Sequence, residues 1–188
     1  DDTQTVRLDA CIEEYEMGKT TFSGPVRSLS GFNTCGFGSI VDIPNGTNSI
    51  SLTCEDHGGR ILTVNDASIV ITLPSIIATD PGDSTDPNQT CNLGVTFRLL
   101  IATSATNVNI NTDGTDKYIG ALTTLVTTTA SGKSWFAGGS DDAIDMDGTT
   151  KGGIVGSYVE ITAFEAAKYY VAGRLLASGT IATPFATS

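Results

Sequence analysis

The stretch that decides the fold class is residues 94–122, which read GVTFRLLIATSATNVNINTDGTDKYIGAL. Its first part, residues 94–101, starts with alternating side chains and ends as an apolar run, which is typical of a strand buried on both faces at one end. Residues 106–111 alternate strictly, so Val108 and Ile110 share one face and the asparagines share the other. Asp113-Gly114 then supplies a tight-turn signal. This stretch therefore predicts β-strands joined by turns.

The same pattern continues on both sides of this stretch, with turn residues at intervals of roughly 8–12 residues. The further predicted strands are residues 60–64, 68–73, 118–122, 125–129, 135–136, 143–146, 157–162 and 169–176. Residues 163–168 favour a helical turn but are too few for a secure helix. Short strands, frequent turns and the lack of long helices predict an all-β fold, an antiparallel β-sandwich or a jelly-roll-like barrel. No sequence repeat of fixed period is present, which disfavours propellers and solenoids.

The composition excludes several classes of protein. Hydrophobic residues make up 39% of the 188 positions, which disfavours disorder, and only 16% are charged. The 10 basic and 21 acidic residues give a net charge of −11, so no nucleic-acid partner is predicted. No apolar run reaches the length of a transmembrane helix, and no membrane partner is predicted.

The first 55 residues differ from the rest and are predicted to form an N-terminal arm, followed by a β domain over residues 56–188. Residues 8–15 fit either a short helix or a strand. Residues 18–49 are rich in Gly, Ser, Thr and Asn, yet they contain Phe22, Phe32 and Phe37. Because burial of each phenylalanine is worth about 1.5–3 kcal/mol, the segment is expected to pack either on its own domain or on another subunit or larger surface. These three residues are the candidate interface with that subunit or surface.

Motifs that suggest chemistry are incomplete. The run Ser131-Gly132-Lys133-Ser134 lacks the first glycine of a phosphate-binding loop, since Thr127 occupies that position. The acidic run at residues 141–148 breaks the spacing of a calcium loop and favours a solvated hairpin. His57 lies in a polar turn and has no nucleophile elbow to accompany it. No catalytic residue, metal ligand or cofactor is predicted, and a carbohydrate-active enzyme is the least favoured class.

The four cysteines at positions 11, 35, 54 and 91 contain no C-x-x-C pair. Three disulfide pairings are possible, and their spacing does not choose among them. A chain of this length does not need disulfides for stability, so buried free thiols are favoured.

The segment from Gly59 to Phe185 resembles a known class of protein. The sequence segments that carry the resemblance are ILTVND at 61–66, ITLP at 71–74, LGVTFR at 93–98, NINTDG at 109–114, GGIVGS at 152–157, YVAG at 170–173 and SGTIATPF at 178–185. This succession of strand and turn segments resembles small β-rich virion surface proteins of tailed bacteriophages, namely capsid decoration (cement) proteins and head-fibre proteins. Residues 1–55 are outside the resemblance.

The resemblance implies a non-enzymatic structural protein, a homotrimer bound to the major capsid protein on the outer surface of the virion. The acidic segments 80–86 and 141–147 are then expected to point to solvent, away from the shell. An alternative is a fibre-type or adhesin-type domain that binds glycans or a receptor, with Trp135 stacking on sugar rings. Core or interface packing is the ordinary interpretation of a lone tryptophan and is favoured for Trp135.

Overall fold

A computed structural model describes residues 40–78 and 92–188, and this part of the chain is nearly all β. The first elements are β1 (Ile40–Ile43), β2 (Ser49–Ser51), α1 (Cys54–His57), β3 (Ile61–Val64) and β4 (Ser68–Thr72). The next are β5 (Thr96–Ile101), β6 (Asn107–Asn111), β7 (Lys117–Val126) and β8 (Gly132–Phe136). The last are β9 (Ala143–Met146), β10 (Tyr158–Glu165), β11 (Lys168–Ala177) and β12 (Phe185–Ala186).

The strands form two sheets. The order in the seven-stranded sheet is β1-β3-β5-β10-β11-β7-β8, and in the five-stranded sheet it is β12-β9-β6-β4-β2. Buried residues from both sheets belong to one hydrophobic core, as expected for a β-sandwich. The predicted all-β class is thus confirmed at this level.

The pairing is mixed, whereas the sequence predicted an antiparallel arrangement. From β1 to β6 the chain alternates between the sheets, so β1, β3 and β5 run parallel in one sheet and β2, β4 and β6 run parallel in the other. Antiparallel pairs join β5 to β10, β10 to β11, β7 to β8, β6 to β9 and β9 to β12. The direction was wrongly predicted because an alternating strand looks the same in either kind of ladder.

Strands β1 to β6 form three stacked two-strand coils, although the sequence disfavoured a solenoid-like path. Ile40 pairs with Ile61, 21 residues later, and Ile61 pairs with Arg98, 37 residues later. The unequal connections remove any fixed period from the sequence. The coils still repeat in space, because each strand lies beside the strand two places earlier in the chain.

The core consists of rows of aliphatic side chains that cross the strands. In the five-stranded sheet one row runs through partners in register and consists of Ile50, Ile71, Ile110, Ile144 and Phe185. Ile71, Ile110 and Ile144 are fully buried, and each contributes about 1.5–3 kcal/mol to the free energy of folding. A buried row in the seven-stranded sheet includes Leu62, Leu99 and Val159.

Most predicted strands coincide with observed ones, with three differences. Residues 117–126 form one continuous strand where the sequence predicted two. Residues 163–168 extend β10 and turn into β11, and no helical turn forms there. Strands β1 and β2 precede residue 56, yet both are hydrogen-bonded in the sheets.

Several sequence expectations fall on other residues. Phe22, Phe32 and Phe37, together with the possible helix or strand at residues 8–15, lie outside the described ranges. The acidic loop at residues 80–86 and the cysteines other than Cys54 lie outside them as well. In residues 40–78 and 92–188, no helix has the length and apolar character needed to cross a bilayer.

Candidate docking face and groove

The outer face of the seven-stranded sheet is the side that points away from the core. The register aligns outward side chains in rows across all seven strands. One row consists of Phe136, Ala121, Ala172, Glu160, Arg98, Ile61 and Ile40. The adjacent row consists of Ser134, Thr123, Arg174, Tyr158, Leu100, Thr63 and Asp42. We call the surface formed by these two rows the outer face.

A hydrogen-bonded ionic network lies at the centre of the outer face. Arg98 Nε lies 3.0 Å from Glu160 Oε2, and the Tyr158 hydroxyl donates to the same oxygen at 3.0 Å. Arg98 also donates to the carbonyl of Gly59 at 3.2 Å. The guanidinium of Arg98 and then the Tyr158 hydroxyl lower the pKa of Glu160. Burial and the bond to Glu160 raise the pKa of Tyr158, so this network is fixed in one protonation state at neutral pH.

An open groove runs beside this network and has a volume of about 520 Å³. Its lining residues are Gly156, Tyr158, Glu160, Ala172, Gly173 and Arg174. The groove exists because Ala172 places only a methyl group on the outer face at this point, and the backbone of Gly173 lines it as well. A Cβ on Gly173 would lie 2.3 Å from the carbonyl oxygen of Tyr158, so the pairing of β10 and β11 requires glycine there.

Charge is unevenly divided between the seven-stranded sheet and the rest of the described chain. The strands of this sheet contain five basic residues, Arg98, Lys117, Lys133, Lys168 and Arg174, and three acidic ones, Asp42, Glu160 and Glu165. The other described residues include two basic residues, Arg60 and Lys151, and nine acidic ones. The seven-stranded sheet is thus net basic in a chain whose net charge is −11.

Large apolar side chains are exposed around the same sheet. Phe136 on the edge strand β8 is 78% exposed, and Ile40 on the opposite edge is 57% exposed. Ile61, Phe164 and Tyr170 are exposed as well. Apolar side chains at the margins of a face that also carries polar groups are typical of a surface that binds another protein.

Trp135 does not lie on this face. It pairs with Leu122 in register, so its ring lies on the core side of β8, where it is half-buried and packs against the core. The Lys133 ammonium lies 4.0 Å from the centre of the ring. The packing interpretation of Trp135 therefore fits its position better than stacking on a sugar does.

His57 belongs to the cap of the short helix α1. The backbone amide of Thr53 donates to His57 Nδ1 at 3.0 Å, and the Thr53 hydroxyl donates to Asp56 Oδ2 at 3.1 Å. To act as a general base on the Thr53 hydroxyl, His57 would need a free lone pair on Nδ1. The Thr53 amide already donates to that lone pair. This arrangement is that of a helix cap.

The acidic run at residues 141–147 does not form the solvent-directed hairpin that the sequence predicted. Asp142 is buried and lies 2.5 Å from the Lys117 ammonium, and the hydrogen bond from Lys117 lowers its pKa. Asp145 pairs with Lys151 at 2.8 Å, and Asp147 accepts hydrogen bonds from its own loop. The prediction was wrong because β9 pairs on both sides, which draws its flanking carboxylates into the structure.

Within the described ranges, no group of three or more His, Cys, Asp or Glu side chains is arranged to hold a metal ion. Cys54 is half-buried, and the described ranges contain no second cysteine to pair with it.

Sequence reasoning missed the residues that form the centre of the outer face. Arg98 was the available signal, because it is the one charged side chain in the apolar run of β5. The alternation of Tyr158, Glu160 and Thr162 also predicts a shared face. That Arg98 meets Glu160, 62 positions later, depends on the pairing of β5 with β10.

Comparison of the chain with protein-family models, curated proteins and solved structures finds no match. The resemblance to phage surface proteins therefore rests only on the sequence segments quoted above.

Proposed function

We propose that this chain is a non-enzymatic virion structural protein that binds the outer surface of a phage capsid and stabilises it, as decoration (cement) proteins do. The observation that carries the proposal is the outer face of the seven-stranded sheet, which combines a central polar network and groove with exposed apolar side chains at its margins. The partner in this proposal is the major capsid protein. The resemblance over residues 59–185 supports the same class of partner.

The size of the outer face suits a protein interface. Seven strands at about 4.8 Å spacing span about 29 Å, and the longest strands extend about 26–33 Å. The area is of the same order as the roughly 800 Å² that each partner contributes to an interface of standard size. A sheet supported by a packed core holds its outward side chains in place before binding, which lowers the entropic cost of association.

Stabilisation of the shell follows from contact with more than one capsid subunit. A homotrimer presents three such faces, so attachment gains from avidity without any new contact. In this proposal the N-terminal arm, with Phe22, Phe32 and Phe37, adds a further apolar contact. The arm and the jelly-roll-like barrel stay predictions.

The proposal is tested with the double variant Phe136→Asp/Tyr170→Asp, which places two carboxylates on the seven-stranded sheet. Both side chains are exposed, so the fold is expected to remain, and attachment to phage shells assembled without the protein should weaken at least about tenfold. The measurement is co-sedimentation of purified protein with shells.

Ile77→Asp/Leu93→Asp is the matched double control, because both side chains are exposed and lie outside the strands of this sheet. It should attach like the unmodified protein. Equal attachment of the double variant and the control would contradict the proposed docking face.

A further inference from the structure

The groove on the outer face contains a cation that the described chain leaves without a carboxylate. Among the other basic residues of this sheet, Arg98 pairs with Glu160, Lys117 with Asp142 and Lys168 with Glu165. Lys133 lies over the ring of Trp135. Arg174 has no ion pair with any residue in the described ranges, and it is exposed.

The neighbours of Arg174 leave its guanidinium open to a ligand. Its partners in register are Tyr158 on β10 and Thr123 on β7, and neither is acidic. Glu160 also lines the groove, but its Oε2 is bound by Arg98 and by the Tyr158 hydroxyl. The Arg98 ion pair offsets most of the repulsion that this carboxylate would exert on an incoming anion.

The shape of the groove favours a protruding segment. Its volume of about 520 Å³ lies within the range of about 300–1,000 Å³ that is usual for ligand clefts. The floor at Ala172 and Gly173 lets a side chain approach the strands closely, and the Tyr158 ring forms a wall. A planar guanidinium binds a carboxylate through two parallel hydrogen bonds, so the complementary group is an Asp or Glu side chain.

We propose that this groove receives an acidic side chain from the surface of the partner protein and that Arg174 anchors it. This inference rests on the proposed function, because the same face is the one that docks. It adds a specific position at which binding energy is concentrated, since arginines in a central cleft are frequent hot spots of interfaces. The surrounding apolar side chains, such as Phe136 and Tyr170, favour a protein partner over a soluble acidic saccharide.

The test compares Arg174→Gln with Arg60→Gln in attachment to phage shells. Both variants remove one positive charge, so general electrostatic attraction falls equally, but Arg60 is not among the groove residues. Arg174→Gln should weaken attachment at least about tenfold, and Arg60→Gln should change it less than about twofold. Arg174→Lys keeps the positive charge but cannot form two parallel hydrogen bonds to a carboxylate, so its attachment should lie between those of the two glutamine variants. Thermal unfolding of each variant checks that the fold is kept.

A competition experiment identifies the chemistry of the ligand. Hexaglutamate should displace the protein from shells, whereas hexaglutamine should not. Equal attachment of Arg174→Gln and Arg60→Gln would contradict the role of Arg174 as the anchor. If Phe136→Asp/Tyr170→Asp still fails to attach in that case, the docking face is supported and only the anchor is wrong. If none of these variants changes attachment, the proposed function fails too. Displacement by oligogalacturonate but not by hexaglutamate would overturn the protein ligand in favour of an acidic saccharide.

Discussion

At the scale of single residues, Asp147 shows how this acidic chain uses its carboxylates. The backbone amides of Thr149, Thr150 and Lys151 donate to its Oδ1 at 2.7–2.8 Å, and the Thr150 hydroxyl donates to Oδ2 at 2.5 Å. Burial would raise the pKa of Asp147, but these hydrogen bonds outweigh it and lower the pKa to about 2. The acidic residue therefore holds the loop after β9 in place.

We expect Asp147→Ala to lower the free energy of unfolding by about 1–2 kcal/mol at pH 7, because four donors lose their acceptor. A pKa below the ordinary value of 3.8 means that the charged form stabilises the folded state. This stabilisation is present above about pH 4 and is lost as the pH falls towards 2. Urea unfolding at a series of pH values measures both effects.

Asp147→Asn is the control for the charge, because it keeps an oxygen acceptor for the amides. It should lose less stability at pH 7 than the alanine variant does, and its stability should fall less between pH 4 and pH 2 than that of the unmodified protein. An identical acid response in all three proteins would show that Asp147 is not held in its charged form by folding.

At the level of elements, the pairing of β7 with β11 is the longest one described in the seven-stranded sheet. The two strands pair in parallel over ten residues each. Gly120 in β7 has a φ of 113°, and a Cβ there would lie 2.2 Å from the carbonyl oxygen of Val171. Glycine is required at this position both for the backbone conformation and for the close approach.

Gly120→Ala should therefore lower the free energy of unfolding by at least about 2 kcal/mol, because either the backbone or the β7–β11 ladder must move. Gly139→Ala is the matched control, since its added Cβ would meet nothing within 4 Å. Chemical denaturation followed by circular dichroism compares the two. A Gly120→Ala protein as stable as the control would mean that the ladder tolerates the shift.

At the level of the whole molecule, the buried core residues that the structure describes lie between Ile43 and Phe185. These residues come from both sheets, and the strand pairings described for residues 40–78 and 92–188 run from Ile40 to Ala186. One shared core predicts one cooperative unfolding transition. The sheets therefore do not depend on the first 30 residues for any pairing that the structure describes.

Deleting residues 1–30 should accordingly leave the two sheets folded, with an unfolding midpoint close to that of the full chain. Attachment to phage shells should weaken, because the deletion removes Phe22 from the proposed contact. Circular dichroism and shell co-sedimentation measure the two outcomes separately. Undiminished shell occupancy would contradict the role proposed for the arm, whereas loss of the folded state would show that the core needs these residues.

Local sequence pattern alone was enough to locate most of the strands of this protein. Alternation in residues 106–111 sets which of their side chains face the core, because side chains of a strand alternate with period two. The apolar run that ends β5 predicted burial on both faces, whereas Leu100 is only half-buried on the outer side. The tight turn at Asp113-Gly114 follows from local conformational preference, and Gly114 has the positive φ that such a turn requires. These features depend on neighbours in the chain, so local pattern is sufficient to predict them.

Only the tertiary structure decided which strands pair and which charges meet. The parallel coils of β1 to β6, the inward position of Trp135 and the pairing of Arg98 with Glu160 join residues that are far apart in the chain. The same holds for Asp142, which sequence reasoning placed in solvent and which Lys117 binds in a buried site. A net charge of −11 is a property of the sequence, but its division into a basic sheet and an acidic remainder depends on long-range pairing. Alternation and turn signals carry no information about that pairing.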